Sequence, residues 1–166
     1  MANKQNFTPV EWTKVLESGM LASMAVTAAE PSGLWGTLME TFAAGSAFAA
    51  SKHDPSANEL IKSVIADFET VQGRAAVQEA LRKSFAGAKP AEIARRSLAH
   101  LREVSAILDA KAPGDAAAFK AWLRGISQKV AEASKEGSFL GIGGVQVSDA
   151  EKATLADISK ALGTSA

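Results

Sequence analysis

The sequence contains no cysteine, no tyrosine, only five prolines and no excess of charge of either sign. Without cysteine the chain has no disulfide, no thiolate metal ligand and no cysteine nucleophile. The 18 basic and 18 acidic residues give a net charge of +0, so no overall field attracts the chain to nucleic acid or to an anionic membrane. These absences argue against a dedicated polyanion-binding protein.

Long apolar runs are absent as well. The stretch with the fewest charges, 18–51, is interrupted by Glu30, Pro31 and Glu40, and a transmembrane helix needs about 20 continuous apolar residues. The first residues are polar and lack the apolar core of a signal peptide. We therefore predict a cytoplasmic protein without a transmembrane segment.

The residues that are present favour helix. Alanine is abundant, hydrophobic residues make up 47% of the chain, and aromatic residues, which favour strands, make up only 6%. A length of 166 residues suits one domain with one core. We predict a single all-α domain spanning 1–166, a compact bundle of about seven helices with one apolar, Gly-rich loop before the last helix.

Capping residues and glycines mark the predicted helix boundaries. Thr8 followed by proline begins the first helix, and Gly19 is expected to interrupt it. Asp54 followed by Pro55 is expected to begin a later helix, and Gly73, Gly87 and Gly163 are expected to end helices. The segment 112–115 is expected to be the clearest linker, and Ser148 to begin the last helix through a capping box.

The most apolar predicted helix covers 34–50 and is expected to be central. Its small-residue run, 43–47, lets another helix approach closely, which favours tight core packing. The alternative is that the hairpin 18–51 associates with lipid, because small-residue faces also pair helices in membranes.

Two glycine-bearing turns are the strongest candidates for a site. The segment 136–147 is apolar and Gly-rich, so it either packs against the end of the core or presents backbone amides to a ligand or partner. The order of residues at 28–34 is similar to that at 134–140, and we expect the turn 30–36 and the loop 139–147 at the same end of the molecule. A phosphate-binding loop is disfavoured, because a helix rather than a strand precedes 136–147. The candidate binding residues are Glu30, Trp35, Gly36, Phe139, Gly141, Gly143 and Gly144.

No complete catalytic constellation is present. His53 and His100 lie outside the spacings typical of di-iron and zinc enzymes, and no Gly-x-Ser-x-Gly motif occurs. His100 shares a helical stripe with Ile93 and Val104, which predicts a partly buried, hydrogen-bonded position at the edge of the core. The basic middle of the chain lacks the interleaved aromatic residues of single-strand binders. We predict no enzyme activity, no cofactor and no nucleic-acid partner.

Two resemblances follow from these residues. The run 118–151, together with 28–36, resembles an uncharacterised family of small bacterial all-α proteins. Glu136 before glycine, followed by a Ser-capped helix bearing Glu151, is similar to the tellurite-resistance B-like helical domains. That similarity implies cation binding by Glu136 and Glu151 with Asp149 adjacent, although this chain inserts an apolar stretch between them.

We expect a non-enzymatic helical protein that acts by binding a protein partner or by self-association. One alternative is peripheral membrane or lipid association through 18–51 or the Gly-rich loop. The other is a cation-binding stress-response protein that uses Glu136, Asp149 and Glu151.

Overall fold

A computed structural model of the chain describes residues 1–29, 57–136 and 148–164. These ranges form a short 3-10 helix, Lys4–Asn6, and six α-helices without a β-strand: α1 (Pro9–Ala29), α2 (Glu59–Phe68), α3 (Val71–Phe85), α4 (Pro90–Lys111), α5 (Pro113–Glu136) and α6 (Asp149–Leu162). The fold is the predicted compact all-α bundle, with six described helices rather than about seven. The helix predicted for 34–50 lies outside the described residues. No helix in the described ranges is long and apolar enough to cross a membrane.

The bundle is built around α1, which contacts each of the other five helices. Every residue of α1 from Val15 to Val26 is buried. A helix that is buried on all sides needs no polar face, and this segment is accordingly apolar around most of its circumference.

The predicted interruption of α1 at Gly19 is wrong, and its predicted start is confirmed. The helix continues through Gly19, whose carbonyl oxygen accepts a 3.0 Å hydrogen bond from Ser23 Oγ. A glycine inside a helix costs about 0.5–1 kcal/mol, and the packing of α1 against its neighbours offsets that cost. At the start, Thr8 N–H donates to Glu11 Oε2 at 2.8 Å, and Glu11 N–H donates to Thr8 Oγ1 at 3.3 Å.

Helices α1 and α4 run antiparallel. Lys14 forms an ion pair with Glu103, and one turn later Glu17 contacts His100. Residues farther along α1 therefore lie against residues earlier in α4.

Helix α5 runs in the same direction as α1. Lys111, just before α5 begins, has its Nζ atom 3.9 Å from Glu11 Oε1 in the first turn of α1. Farther along both helices, Ser127 Oγ lies 3.4 Å from the Ala22 carbonyl oxygen. The C-terminal ends of α1 and α5 therefore lie at one end of the bundle, which we call the Ala29 end.

Helices α2 and α3 meet at a tight corner, and the predicted helix end at Gly73 is wrong. The break comes earlier, where Thr70 caps α3 by accepting a 2.9 Å hydrogen bond from Gly73 N–H. Gly73 lies inside α3, and a Cβ atom at this position would be only 2.0 Å from the carbonyl oxygen of Asp67. The glycine is needed because the two helix backbones approach so closely.

The predicted helix start at Asp54 is wrong, because α2 begins at Glu59 after its N-cap Asn58. The remaining boundaries within the described ranges agree with the sequence except at the predicted linker 112–115. Gly87 and Gly163 follow the ends of α3 and α6 with φ values of 67°, in the left-handed region that favours glycine. The linker is reduced to Ala112, because Pro113 is already the first residue of α5, a position that suits its fixed φ.

We expect Gly73→Ala to lower the free energy of unfolding by about 1–3 kcal/mol, because the new Cβ atom forces the Asp67 backbone away from α3. Gly125→Ala in α5 is the matched control. A Cβ atom there has no heavy atom within 4 Å, so this variant should be about 0.5–1 kcal/mol more stable than the wild type. Urea denaturation measures both free energies of unfolding. Equal changes in the two variants would contradict the close approach of the α2 and α3 backbones.

Asp67 ties the N-terminal residues to α2. Its Oδ2 atom accepts hydrogen bonds from Trp12 Nε1 at 2.6 Å and from Lys4 Nζ at 2.9 Å. Partial burial by itself acts to raise the pKa of Asp67, but these hydrogen bonds outweigh it, so the pKa lies below its ordinary value. The contribution of Asp67 to stability is therefore present above the unfolded pKa of about 3.9 and is lost as the pH falls through the folded pKa.

We expect Asp67→Ala to destabilise the protein by about 1–3 kcal/mol at pH 7, because Trp12 Nε1 loses its acceptor. The difference from the wild type should be smaller at an acidic pH below the folded pKa, where the carboxyl group is protonated in both states, than at pH 7. Urea denaturation followed by tryptophan fluorescence at both pH values tests this. Asp67→Asn keeps an acceptor for Trp12 and should cost less, whereas a difference that is independent of pH would argue against the ionic contribution.

Candidate functional site

A cleft of about 260 Å³ opens between α5 and α6. Its lining residues are Ala121, Arg124, Gly125, Ser127 and Gln128 from α5, and Leu155, Ile158 and Ser159 from α6. Gly125 is exposed, and a Cβ atom added to it would meet no heavy atom within 4 Å. The cleft therefore gives access to helix backbone at Gly125 that no side chain of the described residues covers.

The polar lining of the cleft is mainly uncharged. Ser127 Oγ and Ser159 Oγ donate within their own helices, to the carbonyl oxygens of Leu123 and Leu155, each at 3.1 Å. Ser159, which is 5% exposed, keeps the capacity to accept a hydrogen bond at the base of the cleft, whereas Ser127 is fully buried. Arg124 is the ionisable residue of this lining, and its guanidinium group is a permanent cation and a donor only.

The seven predicted binding residues lie outside the described part of the chain: Glu30, Trp35, Gly36, Phe139, Gly141, Gly143 and Gly144. The structure does describe the helix ends that precede their two segments. Helix α1 ends at Ala29, and α5, which runs in the same direction, ends at Glu136. By chain continuity, both glycine-bearing segments begin at the Ala29 end of the bundle.

The predicted cation ligands have different surroundings. The side chain of Asp149 is fully exposed, with its Oδ1 atom 3.6 Å from Lys152 Nζ. Glu151 is 3% exposed and closes the capping box of α6: its Oε2 atom accepts from Ser148 N–H at 2.9 Å, and Ser148 Oγ accepts from Glu151 N–H at 3.2 Å. Glu136 is the last residue of α5, and its side chain is not among those described. Within 1–29, 57–132 and 148–164, no three His, Asp or Glu side chains form a group that could hold a metal ion.

A buried polar cluster lies between α1 and α4. Glu17 is 2% exposed, and its Oε1 atom lies 3.3 Å from Nδ1 of His100. The His100 side chain is one-quarter exposed, and its ring contacts that of Phe85 with centroids 5.9 Å apart. The structure thus confirms the predicted position of His100 as partly buried and hydrogen-bonded.

Two atoms of this region lack a hydrogen-bond partner among the described residues, Glu17 Oε2 and Ser97 Oγ. Ser97 is fully buried and lies one turn before His100 on the same face of α4. Because its hydroxyl group is inaccessible to a substrate, Ser97 does not complete a catalytic triad with His100 and Glu17.

Sequence reasoning missed Glu17 and the cleft. The sequence does contain a signal for Glu17, because Met20 and Met24 follow it at the three- and seven-residue spacings of one helix face. A single carboxylate on such an apolar face indicates a buried polar group. For the cleft the only signal is Gly125, a glycine inside a helix, because the space beside it depends on how α6 packs.

We expect Glu151→Ala to lower the free energy of unfolding by about 1 kcal/mol, because α6 loses its reciprocal cap. Asp149→Ala is the control and should change stability by less than about 0.5 kcal/mol, since this side chain is exposed. Thermal unfolding of both variants with and without millimolar Ca²⁺, Mg²⁺, Mn²⁺ or Zn²⁺ separates capping from cation binding. A cation that raises the melting temperature of the wild type but of neither variant would instead support a metal site at these residues.

Comparison with known proteins adds no relative. No family model, no curated protein and no solved structure matches the chain. Its function is therefore inferred from the chemistry of the residues described above.

Proposed function

We propose that this chain is a non-enzymatic helical binding protein that takes a side chain of a protein partner into the cleft between α5 and α6. The observation that carries the proposal is the cleft itself, a space of about 260 Å³ beside the uncovered backbone at Gly125. That volume is smaller than most small-molecule pockets, which measure about 300–1,000 Å³, and it suits one side chain of a partner.

The lining suits binding better than catalysis. Leu155, which is only partly buried, provides an apolar contact, and the hydroxyl oxygen of Ser159 can accept a hydrogen bond. General acid–base catalysis needs a group that changes protonation near the working pH, whereas the guanidinium group of Arg124 stays protonated.

Because α1 and α5 run in the same direction and end together, the proposed binding surface extends beyond the cleft. The two helices end together at the Ala29 end, about two turns beyond Gln128 at the cleft. A partner seated in the cleft would therefore lie near the start of both glycine-bearing segments. The proposal includes these segments in the same binding surface.

The proposal is tested by introducing a photocrosslinking amino acid, p-benzoylphenylalanine, at Gly125 and irradiating cells that express the variant. Gly114 is the matched control position, because a Cβ atom there also meets nothing within 4 Å. Along α5 it lies about 16 Å from Gly125. Both variants should fold, so a difference in crosslinking reports the surroundings of the cleft.

We expect a discrete adduct from position 125 that is absent from position 114, with its mass and peptides identified by mass spectrometry. An adduct of twice the chain mass would identify the partner as a second copy of this chain. Identical products from both positions, or no adduct from position 125, would overturn the proposal.

A further inference from the structure

Glu17 occupies an unusual position for a carboxyl group. It lies in the antiparallel contact between α1 and α4 and is 2% exposed. Its Oε1 atom is 3.3 Å from His100 Nδ1, whereas Oε2 has no hydrogen-bond partner among the described residues. Burying an ionised carboxylate with one oxygen unpaired is costly. The protonation state of Glu17 therefore affects how stably α1 and α4 pack against each other.

The other charged groups around Glu17 nearly cancel one another. On α1 the nearest is Lys14, and on α4 they are Glu103 and His100. Lys14 and Glu103 form an ion pair with each other at the rim of the contact. From α3, the aromatic ring of Phe85 rather than a charged group contacts His100. The net charge of the buried region therefore depends on the protons held by Glu17 and His100.

Counting protons shows which state the packing favours. With the proton on the carboxyl group of Glu17, the pair is neutral, as carboxylic acid and imidazole. Release of that proton to solvent leaves a net negative charge in the interface, next to a neutral ring and without a donor for Oε2. Burial favours the neutral pair that keeps the proton. Burial disfavours the negatively charged pair that remains after the proton is released.

We propose that Glu17 and His100 hold one proton between them in the native protein and form a pH-responsive latch that joins α1 to α4. Loss of this proton as the pH rises weakens the contact of the central helix with α4. The inference is independent of the cleft between α5 and α6, because neither residue lines that cleft.

The direction of the pH effect follows from the position of Glu17. Burial is the largest influence and raises the pKa of Glu17 above its ordinary value of 4.5, although the hydrogen bond from His100 acts to lower it. A raised folded pKa means that the stabilisation is complete below the unfolded value and is lost as the pH rises through the folded value. The contribution of Glu103 to stability has the opposite pH dependence. The hydrogen bond from Lys14 lowers the pKa of Glu103, so this contribution is lost as the pH falls through the folded pKa.

The test compares urea denaturation of the wild type, Glu17→Gln and Glu103→Gln between pH 3 and pH 9. Glu17→Gln has nearly the same shape and does not ionise. We expect the ratio of the wild-type to the Glu17→Gln unfolding constant to rise with pH, by up to about tenfold per pH unit, until the folded pKa is passed. The corresponding ratio for Glu103→Gln should fall as the pH rises from 3 to 5. A ratio for Glu17→Gln that does not change with pH would overturn the proposal.

Two measurements on the wild type keep the test independent of how the variants fold. The ¹³C shift of the Glu17 carboxyl group should titrate with a midpoint above 4.5, and a midpoint at or below that value would overturn the latch. Hydrogen exchange, corrected for the intrinsic rate, should show loss of protection in α1 and α4 at high pH while α2 changes less. Equal loss in all three helices would indicate global destabilisation and would also overturn it.

Discussion

The structure depends on the burial of one helix. Residues from Val15 to Val26 of α1 are covered on every side, and the other five described helices are positioned by contact with it. The antiparallel packing of α4 and the parallel packing of α5 follow from which residues of α1 they meet. The hydrophobic effect favours this burial whatever the helix propensity of the residues. Helix α1 therefore stays continuous through Gly19.

The same central position explains where the polar features lie. Glu17 is in the part of α1 that contacts α4, so its carboxyl group is enclosed by the packing that builds the bundle. The cleft lies between α5 and α6, where Gly125 provides no side chain to fill the space. The proposed proton-responsive contact and the proposed partner-binding cleft occupy separate helix contacts.

Local signals in the sequence predicted the helix boundaries where the chemistry is local. Thr8 and Ser148 cap helices through bonds to residues three positions away, and Gly87 and Gly163 adopt the left-handed conformation that ends a helix. Gly73 was misread because its role is steric: the backbone of α2 passes where its Cβ atom would be. A glycine that ends a helix and one that permits close approach look alike in a single sequence.

The sequence by itself determined the all-α class, most helix boundaries and the edge-of-core position of His100, because composition, capping and periodicity act over a few residues. Only the tertiary structure decided that α1 is central among the described helices, that Glu17 meets His100 and that α5 and α6 leave a cleft. These features join residues far apart in the chain. Which of these residues come into contact is set by helix packing, and no local sequence pattern specifies that packing.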